Sequence, residues 1–151
     1  MIAPDITAKD GERFKVGKTV VTAYETPGHT PGTASYVYRV RDGRNTYRVV
    51  TVGGLGLNAI KNVAQVEAYV ASIHRLQAMA NDTKNPITVS LTTHPAAGMF
   101  GQADRLAARR PGETNPFVDP AGFKTQLSEL LKRGQDRVVV EKEKAKAACA
   151  K

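Results

Sequence analysis

The feature that most restricts this chain is a change of apolar period near its middle. Between residues 13 and 54 the sequence is rich in β-branched and aromatic residues that alternate with polar ones. From residue 62 onward the apolar residues recur every three or four positions instead. The first stretch predicts four strands: RFKV at 13–16, KTVVTAYET at 18–26, TASYVYRVR at 33–41 and TYRVVTVGG at 46–54. Asp42-Gly43, between the last two, is a hairpin signal. Asn62 is suited to cap a helix with the apolar stripe Val63, Val66, Val70, Ile73, Leu76 and Ala80, ending near Asn81-Asp82. PITVSLTT at 86–93 reads as a short buried strand, and MFGQADRLAARRPG as a short helix closed by Pro111-Gly112. Asp119 and Pro120 suit the cap and first residue of a last helix that runs into the 140s. The tail, about 141–151, is expected to be solvated and frayed.

This order implies one α/β (α+β) domain over residues 1–151. The run from 46–54 through the long helix to 86–93 looks like a crossover unit, giving a mixed sheet with helices on one face. Residues 36–40 and 49–52 supply apolar side chains to both faces of that sheet, and the second face has no evident cover. No apolar run approaches the ~20 residues of a membrane span, so no membrane partner is expected. The N-terminal MIAPDITAKDGERF lacks the charged start and apolar middle of a signal peptide. The expectation is a cytoplasmic chain, or one whose address label lies outside this sequence. The single cysteine, Cys149, excludes a disulfide framework and a cysteine metal cluster within one chain. Net charge is +8, but residues 104–151, with 11 Lys and Arg against 7 Asp and Glu, hold only half of it. The excess is spread and no recognition motif accompanies it, so a solvated basic surface is favoured and nucleic-acid binding stays the third and weakest reading.

Three histidines bear on chemistry. His29 lies in TPGHTPG, a loop stiffened by Pro27 and Pro31, with Gly28 and Gly32 allowing sharp turns or close approach. His94 follows a strand and precedes Pro95. Two histidines at strand ends suit a metal whose ligands come from separate loops; equally, each could be a loop histidine bonding a backbone carbonyl. His74 falls mid-helix and reads as a packing or surface residue. Two histidines make half a site, because catalytic zinc usually takes three protein ligands and keeps one position open. Glu25 and Asp104 are the carboxylates nearest in sequence, and neither belongs to a metal motif.

DGERFKVGKTVVTAYETPGHTPGTASY, VTVGGLGLN, TTHPAAGMFG and GETNPFVDPAGF, in that order, resemble the C-terminal part of subclass-three (B3-like) metallo-β-lactamases, over about residues 4–143. The resemblance implies half of the αββα sandwich of that superfamily. It implies that His29 and His94 are zinc ligands, one for each of two metals, and that the loop with Leu55 and Asn58 lines a substrate cleft. Many superfamily members carry a bridging aspartate after the strand that ends here at Gly53-Gly54; the subclass-three branch does not. The upstream HxHxDH motif, which supplies the remaining ligands, does not occur in this chain.

The implied function is that of the C-terminal part of a zinc-dependent hydrolase acting on β-lactam-like small molecules, with little or no activity alone. A homo-oligomer or a complementary N-terminal half is the expected partner, and parent enzymes of this kind are periplasmic or secreted. The alternative is a non-enzymatic dimerisation or binding module that reuses the half-fold.

Overall fold

The computed structural model describes residues 7–93 and 97–149, the side chains of 97–99 excepted. Five strands form one sheet in sequence order: β1 (Arg13–Val16), β2 (Thr19–Glu25), β3 (Ala34–Asp42), β4 (Asn45–Val52) and β5 (Val89–Thr92). The first four pair antiparallel, and β5 joins β4 parallel. A parallel neighbour needs a crossover. Here it is α1 (Val63–Ala80), as the sequence predicts. Helices α2 (Ala97–Ala107) and α3 (Pro120–Cys149) follow.

The local signals act where the sequence places them. Asp42 pairs with Asn45, leaving Gly43 and Arg44 as a two-residue hairpin loop. Gly43 has φ +60°, a left-handed angle that the first central position of a type II′ turn requires. Asn62 Oδ1 accepts from Gln65 N at 2.9 Å, and Asp119 Oδ1 from Gly122 N at 2.8 Å, so both expected caps start their helices. Strand β5 is shorter than the 86–93 of the sequence pattern. Ile87 N and Thr88 N bond instead to Met79 O and Arg48 O, which ties this segment to α1 and β4 before the ladder begins. The tail is helical through Cys149, and Glu141 is buried between Arg137 and Lys144; the residues beyond it, 142–149, are exposed.

One face of the sheet carries the core. Val37, Val50 and Val52 lie under Val66, Tyr69, Ile73 and Leu76 of α1, with Phe123 and Leu127 of α3 completing the cluster. The strand register sets Phe14, Val21, Ala23, Tyr36, Tyr38, Val40, Tyr47 and Val49 on the opposite face. Tyr36 is 39% and Val40 37% exposed there, so the apolar side chains expected to lack a partner are in part uncovered. Near the β5 edge Val49 and Val89 are buried, and Val118 pairs with Val89 through an isolated antiparallel bridge.

The segment between α2 and α3 is tied to the hairpin by Asp42, whose Oδ2 accepts from Asn115 Nδ2 at 3.2 Å and Arg109 Nη1 at 2.6 Å. These partners, Asn115 first, hold the Asp42 carboxyl below the usual aspartate range. A folded-state pKa below the unfolded value means that the unfolded chain takes up the proton more readily. The stabilisation is therefore complete above about pH 4, the ordinary range, and is lost as pH falls through it toward the lower folded value. The expected outcome for Asp42→Asn is a lower melting temperature at pH 7 and a shallower loss of stability below pH 4 than in the parent, read by thermal denaturation across pH.

Candidate metal-ligand loop

The loop after β2 is held from several sides. Thr26 N donates to Thr33 O, and Thr30 N to Thr33 Oγ1, so residues 26–33 close on themselves. The buried pair Thr26 Oγ1 and Ser35 Oγ, 2.8 Å apart, pins the loop base, and Ser35 Oγ also accepts from Gly53 N. Gly28 is obligatory: its φ is +142°, and a Cβ there would stand 2.4 Å from Tyr69 Cα. The loop thus lies directly on α1, where Ser72 Oγ donates to Pro27 O at 2.7 Å.

Gln65 is the link that sequence reasoning missed. Its Nε2 reaches Gly28 O at 2.9 Å, His29 O at 3.1 Å and Ala59 O at 3.0 Å, while its Oε1 accepts from Lys61 N. One amide joins the histidine loop, the 54–62 loop and the start of α1. The only sequence signal was its place three residues after the Asn62 cap, where Gln is a usual capping partner.

His29 is half-buried, and its Nδ1 lies 2.8 Å from Gly56 O. A carbonyl can only accept, so Nδ1 carries the hydrogen and the lone pair of the neutral ring belongs to Nε2. Nε2 has no hydrogen-bond partner among the described residues. The two readings of a loop histidine, carbonyl partner and metal donor, are therefore compatible, one at each nitrogen; an imidazole so fixed is the usual form of a zinc ligand. Gly54 provides the room. A Cβ there would stand 2.3 Å from His29 Cδ2, so a side chain at this position, aspartate included, would collide with the ring.

The other site residues named on sequence are distributed as follows. Leu55 packs against the helical core, and its carbonyl accepts from Tyr69 Oη at 3.1 Å. Asn58 is exposed beside Gly56: a Cβ on Gly56 would meet Asn58 Oδ1 at 2.5 Å and His29 Nδ1 at 3.5 Å, so these two side chains flank one glycine. His94 lies outside the described residues. His74 is exposed on α1, its Nδ1 3.2 Å from Gln77 Oε1. Among the described residues no group of three His, Cys, Asp or Glu could hold a metal ion. The His29 ring fits zinc as a single donor; the described residues do not complete a site.

No family model and no curated protein matches this chain. Solved structures do. The subclass B3 metallo-β-lactamase BJP-1 of Bradyrhizobium japonicum is 26% identical, with a TM-score of 0.73, over 95% of this chain and 54% of its own. The native FEZ-1 metallo-β-lactamase of Legionella gormanii is 30% identical, with a TM-score of 0.71, over 88% of this chain and 50% of its own. MEM-A1, a subclass B3 metallo-β-lactamase from a soil metagenome library, is 23% identical, with a TM-score of 0.73, over 91% of this chain and 52% of its own. A five-stranded mixed sheet backed by helices, with a histidine loop past β2, thus has the fold of half a metallo-β-lactamase sandwich. More particularly, the chain resembles the C-terminal half of the subclass B3 enzymes and spans about half the length of the solved structures it matches.

Gln65→Ala removes the donor shared by three carbonyls and should cost about 1–3 kcal/mol of stability in chemical denaturation. Hydrogen exchange at the amides of residues 28–30 should speed up more than exchange in the middle of α1.

Proposed function

We propose that this chain is the C-terminal lobe of a zinc-dependent hydrolase of β-lactam-like amides, and that it works only when its outward sheet face is covered by a complementary lobe, on the same polypeptide or another. The observation that carries the reading is His29, with Nδ1 committed to Gly56 O and Nε2 left as a lone-pair donor, set in half of a subclass B3 fold. When bound, zinc would lower the pKa of a bound water toward neutrality and polarise the scissile carbonyl. The chain's own residues have narrower duties. His29 offers one nitrogen, Gly56 O fixes the ring's tautomer, and Gln65 fixes the loop. Asn58, beside Gly56, is in reach of whatever approaches that loop. On grounds of sequence, His94 is assigned the matching duty at a second zinc.

The need for a second lobe rests on two supports. One donor cannot hold a catalytic zinc, which takes three protein ligands. The outward sheet face leaves Tyr36 and Val40 partly in water, and each 100 Å² of apolar surface covered there is worth about 2.5 kcal/mol before the costs of association. The complementary lobe would both cover that face and bring the missing ligands. A self-paired dimer is the second way to cover it.

The test measures zinc content, mass in solution and hydrolysis of a chromogenic cephalosporin, for the chain alone and mixed with the N-terminal half of a subclass B3 enzyme. The reading expects a complex with bound zinc and turnover, both lost in His29→Ala. Hydrolysis by the chain alone that survives His29→Ala would overturn it. A concentration-independent monomer that binds neither zinc nor the added half would do so too, and would favour a binding module instead.

A further inference from the structure

On its helix-facing side the sheet extends past the helices into an open groove of about 1120 Å³. Arg13, Lys18, Arg39, Arg41 and Arg48 line it, and among the described residues no carboxylate does. The cations are scattered in sequence; the register gathers them. Alternate residues of a strand share a face, so Val37, Arg39 and Arg41 point the same way. Arg48 stands opposite Arg39, while Arg13 stands opposite Thr22, which in turn faces Val37.

Two arginines directly opposite on one sheet face repel each other. Part of that cost is relieved from the α1–β5 connection: Arg39 Nη2 donates to Asn85 Oδ1 at 2.7 Å, Arg48 Nη1 donates to Asn85 O, and Asp82 stands 3.9 Å from Arg48. Arg13, Lys18 and Arg41 are exposed and have no polar partner among the described residues. A fold that needed only solubility would gain nothing from concentrating like charges in a concavity, where their field is focused.

We propose that this groove binds the phosphate backbone of single-stranded nucleic acid. Four of the five cations are arginines, whose planar fork matches a phosphate in two-point contact. Arg39 and Arg41 are separated by two residues of strand, about 6.7 Å, close to the step between successive phosphates of an extended strand. The ring of Tyr24, also in the lining, is already occupied, with the Arg75 guanidinium 4.8 Å from its centroid. The groove thus supplies an electrostatic track without an open stacking platform, and recognition would be indifferent to base sequence. It opens on the face opposite the one assigned to a second lobe, so neither site depends on the other.

The test is fluorescence anisotropy of a labelled oligothymidylate of about a dozen nucleotides with the whole chain, repeated over a range of salt concentrations. Two triple variants carry the same charge change: Arg13→Gln, Lys18→Gln and Arg41→Gln in the groove; Lys61→Gln, Lys124→Gln and Lys146→Gln elsewhere. The groove variant should bind at least ~10-fold more weakly, and its slope of log affinity on log salt should fall by about 2, near 0.7 for each phosphate no longer neutralised. The second triple should move both much less. Equal losses in the two triples would reduce the effect to diffuse attraction and overturn the proposal. Polyglutamate that binds more tightly than the oligonucleotide at matched charge would overturn it in favour of an acidic protein partner. Thermal melting of both triples, expected near the parent's, separates lost binding from lost folding.

Discussion

Tyr69 is the point where the parts of this chain meet. It is 2% exposed, and burial raises its hydroxyl pKa to about 12, so the group remains a hydrogen-bond donor at any working pH. That hydroxyl donates to Leu55 O, which ties α1 to the loop leaving β4. Its backbone lies so close to Gly28 that only a glycine fits, which seats the His29 loop on the helix. Its ring faces Gly134 of α3, where a Cβ would come within 3.0 Å of Cδ1. One residue therefore sets the distances between the two long helices, the β4 exit and the candidate ligand. The site inherits the rigidity of the core because both are built on the same residue.

The fold also has a clear asymmetry. Its helix-covered face has a connected apolar cluster from Val37 to Leu127, enough to define a core without help from outside. The outward face repeats the pattern of alternating apolar residues; Ala23, Val49 and Val89 are buried on it, while Tyr36 and Val40 stay partly exposed. The same asymmetry applies to chemistry. His29 is prepared in tautomer and orientation by groups within the chain, yet no second or third ligand joins it among the described residues. Under the proposed function, a lobe whose core is complete and whose site is not would hold the His29 loop in order before association, so that association would carry no cost for ordering it.

Much of this was legible in the sequence because it depends on local physics. The alternating runs, the Asp42-Gly43 turn, the Asn62 and Asp119 caps and the change of period each act within a few residues, and each strand and helix starts within a few positions of where the pattern places it. The parallel β5 followed from element order, since a strand, a long helix and a second strand between residues 46 and 93 read as a crossover unit. What was not legible depends on contacts distant in sequence. Gln65 lies 37 positions from Gly28, and nothing in a helical pattern distinguishes a glutamine that faces solvent from one that clamps a loop. The choice of Gly56 O as the His29 partner is of the same kind, since a carbonyl has no sequence signature. The solvated tail was half legible: its Lys and Ala content predicts exposure, but the carboxylate of Glu141, drawn in by Lys144 and Arg137, extends the packed part of α3 beyond the point that composition suggests.

Charge shows the same limit most clearly. Counted along the chain, the basic residues look dispersed, and dispersion argues against a polyanion partner. Counted on the sheet, five of them line one groove, because Arg39 and Arg48, nine positions apart, stand face to face across a hairpin, and Arg13 joins them through two further pairings. Register converts a diffuse excess into a local field, and local field rather than net charge governs the capture of an anion. The linear spread of charge is therefore the wrong quantity to weigh wherever antiparallel pairing folds distant positions onto one face. For this chain the relevant quantity is the row of guanidinium groups that the hairpin brings together, with no carboxylate among the described residues that line the groove beside them.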